Sequence, residues 1–127
     1  MLITPVDNIP FGYHNILKTQ FLKGNLKGVK YGFYGDRLTK KNVSLEHLKA
    51  KSKGGKSELE NFVLASKSKN QARGNKDIKP FVDKETAMRY LLQFVGIKVE
   101  NFNGDYYIKA IINTLKKLGV DLCSGNG

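Results

Sequence analysis

Cysteine is almost absent from this chain. Cys123 is the only one, so no disulfide can close within it and no zinc can be held by cysteine pairs. Carboxylates are scarce as well: 11 acidic residues face 22 Lys and Arg, which leaves a net charge of +11 and a pI near 9.8. A surplus of that size suits a polyanion such as nucleic acid, whose phosphates it neutralises without choosing a sequence. A Lys-rich solvated surface is the plainer reading of the same numbers. No apolar run approaches the ~20 residues needed to span a bilayer. Residues 1–14 also lack the basic flank and apolar core of a secretory signal. The expectation is an intracellular (cytoplasmic) protein with no membrane partner. Histidine is rare too, with only His14 and His47.

What is present describes an ordinary globular chain. Its 127 residues, 40% hydrophobic and 26% charged, are enough for one domain with a modest core. Pro5, Pro10 and Gly12 mark an irregular lead-in over 1–12. Ile16, Leu17 and Phe21 share a face of a short helix that Gly24 stops. Val29 to Tyr34 reads as an aromatic strand, with Gly35-Asp36 as its turn. These aromatics serve a core sooner than they serve as base-stacking platforms. Towards the other end, Asp83 caps a helix carrying Thr86, Met88, Leu91, Leu92 and Val95, and Gly96 ends it. A second helix runs from about 104 to 118, with Tyr107, Ile108, Ile111, Ile112, Leu115 and Leu118 at helical spacing and Gly119 at its end. Both are core or partner surface.

The chemistry lies between them, from Val43 to Asp77. Val43 to Leu48 alternates apolar with polar, as a half-buried strand does. Strict alternation puts the neighbours Glu46 and His47 on opposite faces, so both can serve one site only if the strand ends or bends there. Lys49 to Glu60 is a polar loop around Gly54-Gly55, the only such pair. Phe62 to Ala65 fits a returning strand, and Ser66 caps a helix from Lys67 to about Asn75. Strand, loop, strand and helix gather the charged groups at one end.

Hydrolysing a phosphodiester needs an activated water, neutralised phosphate charge and help for the departing oxygen. His47, with an ordinary pKa of about 6.5, can take the proton from water. A divalent cation supplies the other two needs. Mg²⁺ prefers oxygen donors and keeps several waters, so one carboxylate and one amide oxygen suffice to hold it. Glu46 and Asn70 are the candidates. Asn61 is placed to tie the loop so that His47 faces the phosphate. Arg73, one turn after Asn70, and Lys76, with Lys69, Lys51 and Lys53, are candidate grips on DNA phosphates. Taken singly, Asn61 and Asn70 are ordinary turn and cap residues and Glu46 a solvated strand residue. His14 lies outside the pattern.

Taken together, Glu46-His47, Gly54-Gly55, Asn61 and Asn70 resemble the HNH, or ββα-metal (His-Me finger), nuclease motif of phage and homing endonucleases, bacterial toxins and CRISPR effector nucleases. Fourteen positions separate His47 from Asn61 and nine separate Asn61 from Asn70, which agrees with members having Asn at the last position. The resemblance implies an α+β fold with a small ββα core over about 30–77 and flanking helices in one 1–127 domain. It implies a metal-dependent DNA endonuclease in which His47 is the general base, Asn61 shapes the loop, and Glu46 and Asn70 hold Mg²⁺ or Mn²⁺. Many relatives also carry a zinc knuckle. Here its four positions are Gly32, Gly35, Ser66 and Lys69, so no structural zinc is expected, and support must come from Tyr31, Phe33, Tyr34 and the C-terminal helices. Glu also stands where Asp is frequent, and its extra methylene shifts the carboxylate outward. The rival reading is a DNA-binding module on the same scaffold without catalysis; an RNA-directed or toxin nuclease is a third. One site nicks a single strand, whereas a homodimer through the C-terminal helices would cut both.

Overall fold

Ile16, Leu17 and Phe21 do lie on one face, in helix α1 (Ile16–Leu22). Gly24 stops it with a left-handed φ of +81°, a conformation that costs glycine little. This is a computed structural model that describes residues 16–123; the lead-in over 1–12 and His14 lie outside the described residues. The apolar pattern after Asn42 forms strand β1 (Val43–His47), and the run after Asn61 forms β2 (Phe62–Ser66). They pair antiparallel, with Val43 opposite Ser66 and His47 opposite Phe62. Every residue of β2 is buried.

Helix α2 (Lys67–Arg73) follows β2 directly. Ser66 Oγ accepts the Lys69 N–H at 3.3 Å, so the last strand residue is also the helix cap. Gly74, at a φ of +60°, closes the helix by donating to the Asn70 carbonyl. Asp83 caps α3 (Lys84–Leu92) through the Thr86 N–H. A small hairpin, β3 (Lys98–Val99) with β4 (Phe102–Asn103), turns at Asn101 and leads into α4 (Gly104–Lys117). Asn103 caps that helix through the Tyr106 N–H. Among the described residues the chain is therefore α+β, with four α-helices and two two-stranded antiparallel sheets. No helix in them is long and apolar enough to cross a membrane.

Two sequence expectations need correction. Val29–Tyr34 is not a strand. A single bridge joins Tyr31 to Arg37 and closes a tight turn, in which Gly32 donates to the Asp36 carbonyl and Gly35 to the Gly32 carbonyl. Gly35 takes a φ of +88°, and two glycines in four residues favour that turn over an extended run. The inward face of α3 also differs. Ala87, Tyr90 and Leu91, followed by Phe94, are buried, whereas Leu92 and Val95 are exposed. The face is set by docking onto β2, which the helix meets through Tyr90.

That docking is polar as well as apolar. An antiparallel strand paired on one side leaves alternate backbone groups of its other edge without partners, and burying them unpaired is costly. In β2 these are Phe62, Leu64 and Ser66. The Tyr107 hydroxyl donates to the Phe62 carbonyl at 2.7 Å. The Leu64 N–H donates to the Tyr90 hydroxyl, and the Leu64 carbonyl accepts from the Phe33 N–H. The Ser66 N–H donates to the Asp36 carboxylate. Tyr90 and Tyr107 share a further bond at 2.8 Å, and burial raises both phenols above their usual range, so they stay protonated. Asp36 thereby ties the Gly32–Gly35 turn to the start of α2. Phe33 is buried against Tyr34 and Tyr90, while Tyr31 is exposed with Arg37 over its ring.

Candidate functional site

β1 ends at His47, and the chain bends at Leu48 and Lys49. The loop beyond it runs through two short 3-10 turns, Lys51–Lys53 and Leu59–Asn61. Asn61 braces that loop. Its Oδ1 accepts the Lys49 N–H at 2.9 Å, and its Nδ2 donates to the carbonyls of Lys49 and Lys56 at 3.0 and 2.9 Å. The Asn61 carbonyl accepts from the Leu48 N–H as well. One buried amide thus joins both ends of the loop next to His47. Gly55 is required for the same closure: a Cβ there would lie 1.8 Å from the Lys49 carbonyl oxygen.

His47 is half-buried. Its ring meets Phe62 edge-on with centroids 4.7 Å apart, and Nε2 lies 3.2 Å from Ser57 Oγ. Burial, with the charges of Lys51 and Arg73 behind it, lowers its pKa below 6.5. The imidazole is therefore neutral at pH 7 and has a lone pair to offer.

Asn70 reaches across from α2 to β1. Its Nδ2 donates to Ser44 Oγ at 3.1 Å and to the Leu45 carbonyl at 2.9 Å. The carbonyl can only accept, which fixes the amide orientation. Asn70 Oδ1 takes part in no hydrogen bond among the described residues.

Glu46 is engaged differently from what its position suggests. It is 2% exposed, with Oε2 accepting from the Tyr34 hydroxyl at 2.6 Å and Oε1 lying 3.4 Å from an Arg73 nitrogen. Burial raises the carboxyl pKa, while Tyr34 and Arg73 pull it back down. Burial, reinforced by Glu46, also keeps the Tyr34 phenol protonated far above its usual range.

Arg73 is not a surface grip on phosphate. It is 2% exposed, and besides Glu46 it donates from Nε to the Lys76 carbonyl at 2.6 Å, from Nη1 to the His47 carbonyl and from Nη2 to the Leu48 carbonyl at 2.8 Å. Apart from Lys76, its partners lie 25 or more residues upstream, at the end of β1 and just past it, so helical position alone gives no hint that this cation is internal. The other candidate phosphate contacts, Lys51, Lys53, Lys69 and Lys76, are exposed. Lys49, Lys53 and Lys76 border a hollow of about 280 Å³ beside Arg73. Tyr34 shows in sequence only as an aromatic support; its place as the Glu46 partner depends on the turn at Gly32–Gly35.

Mg²⁺ takes hard oxygen donors and keeps much of its water. Asn70 fits that requirement, having an amide oxygen without a donor among the described residues. Glu46 as seated does not, because both its oxygens are committed and a guanidinium stands beside it. The residues fit a cation held by one protein oxygen, with water and a substrate phosphate completing the shell. They do not offer the Glu46–Asn70 pair. Among the described residues no three His, Cys, Asp or Glu side chains cluster as a metal centre, which is no obstacle to an ion held mainly by amide, water and phosphate oxygens. Compared with known proteins, the chain matches no family model, and neither a curated protein nor a solved structure is significantly similar to it.

Proposed function

We propose that the protein is a divalent-metal-dependent endonuclease acting on DNA, with His47 as general base. The observation that carries this reading is a neutral, half-buried imidazole at the end of β1, with α2 presenting against the same strand an Asn70 amide oxygen that has no donor among the described residues. The register of Glu46, His47, Asn61 and Asn70 supports it, and so does the arrangement of a β-hairpin followed at once by a helix, as in a ββα-metal core. The net charge of +11 suits a phosphate backbone.

His47 takes a proton from the attacking water, a step worth about 10²–10⁴ in rate for a well-placed base. Asn61 keeps the loop closed so that the ring keeps its place. Asn70 would hold Mg²⁺ or Mn²⁺, and Glu46 joins only by giving up Tyr34 or Arg73. When bound, the cation neutralises charge on the phosphate and stabilises the leaving oxygen. Lys51, Lys53, Lys69 and Lys76 bind the phosphates on either side.

The commitment of Glu46 to Arg73 favours a second reading, a DNA-binding module without catalysis. Supercoiled plasmid separates the two. The nuclease reading expects nicking with Mg²⁺ or Mn²⁺, none in EDTA, and loss of nicking in His47→Ala with DNA affinity retained. Cleavage that survives His47→Ala overturns it, and salt-sensitive binding without cutting by the wild type establishes the binding module.

A further inference from the structure

We infer that Arg73 is the positioning residue of this site: its buried guanidinium fixes the end of β1 and so sets the direction in which the His47 ring leaves the chain. The inference rests on the nuclease reading for its catalytic meaning, but its geometry stands independently.

Three consecutive residues converge on this one side chain. Arg73 meets the carboxylate of Glu46, the carbonyl of His47 and the carbonyl of Leu48. In an extended strand successive carbonyls point to opposite edges. Two in a row aimed at one guanidinium therefore mark the point where strand geometry is broken. The break falls at the His47–Leu48 link, immediately beside the imidazole. Nε is held by the Lys76 carbonyl just past the end of α2, so the fork is anchored at its base as well as at its tips. Glu46, braced by the Tyr34 hydroxyl, supplies the counter-charge that lets the cation stay buried.

The requirement is for arginine in particular. A planar fork with five donors can hold two carbonyls and a carboxylate at fixed relative angles. A lysine at this position keeps the charge but not the simultaneous grip. Because Arg73 is buried, it has no access to DNA, and its loss should leave substrate binding intact. The effect belongs in kcat, where a base displaced by about an ångström costs on the order of a hundredfold.

The test compares wild type with Arg73→Lys. For the variant we expect DNA affinity and KM within about twofold of wild type, kcat lower by about a hundredfold, and displaced His47 ring resonances in NMR spectra. Nicking at the wild-type rate by a folded variant overturns the inference, as does a loss of DNA affinity in step with the loss of nicking. Should the variant fail to fold, the wild type still decides. Scalar couplings across hydrogen bonds from the Arg73 guanidinium nitrogens to the carbonyl carbons of His47 and Leu48 are expected; freely exchanging, averaged guanidinium signals overturn the proposal. A wild type that never nicks defeats the nuclease reading, while these NMR measurements continue to judge Arg73.

Discussion

Replacing Tyr107 by Phe removes one oxygen atom and leaves the ring. The ring is fully buried between Phe94 and Phe102, so packing survives and the change isolates the hydroxyl. Two bonds are lost: the one Tyr107 donates to the Phe62 carbonyl and the one it accepts from Tyr90. The Phe62 carbonyl sits on the outer edge of β2 under α4, away from β1, in a residue only 2% exposed. An orphaned buried acceptor costs about 1–3 kcal/mol. Tyr90 keeps the Leu64 N–H as a donor to its oxygen and loses only the acceptor for its own proton, which adds about 1 kcal/mol. Urea denaturation should therefore show a loss of about 2–4 kcal/mol, with the m-value unchanged. Tyr90→Phe should cost a similar amount by stranding the Leu64 N–H. The double variant should cost less than the sum, because the two side chains share a bond. A Tyr107→Phe loss below about 0.5 kcal/mol, the range of inert surface substitutions, or strict additivity of the pair, would mean that the tyrosines do not satisfy the edge of β2 as described.

Further outcomes follow from the loop and the imidazole. Gly55→Ala should distort the loop, since the added methyl falls on the Lys49 carbonyl. A cost of about 1–3 kcal/mol is expected, together with loss of nicking, and an unaltered melting curve with full activity would refute the closure argument. Because the His47 pKa is lowered in the folded state, its contribution to stability is present above pH 6.5 and lost as pH falls through the folded value. Nicking should fall over the same acidic range, and a rate that stays level while NMR shows the His47 ring taking up its proton would remove His47 as the base. His47→Ala should flatten its part of the stability slope.

Local rules reached a good part of the fold. Asp83 and Ser66 each have the side chain that a helix N-terminus needs, and each is found accepting from the residue three positions on. The face of α4 is legible because Tyr107, Ile111 and Leu115 recur at helical spacing, and all three are fully buried. Val29–Tyr34 misleads because its residue types favour a strand, while Gly32 and Gly35 favour a turn and the turn is the form that packs. Asn61 was readable as a loop-former; the three backbone partners that make it one were not. Glu46 and Arg73 show the limit most clearly, since a charged residue in a basic segment looks exposed until its partner is seen.

By itself the sequence determined where α2 and α3 begin, which stretch makes the hairpin that carries His47 and Asn61, and that Asn70 would stand on the helix directly after it. Those features depend on capping, periodicity and turn chemistry, which act between near neighbours. Only the tertiary structure decided that Arg73 lies inside, that Glu46 is spent on it and on Tyr34, and that Tyr90, Tyr107 and Asp36 complete the outer edge of β2. These pairings join groups from 12 to 45 residues apart, and burial makes them obligatory, because a charge or a peptide group removed from water must find its partner within the fold.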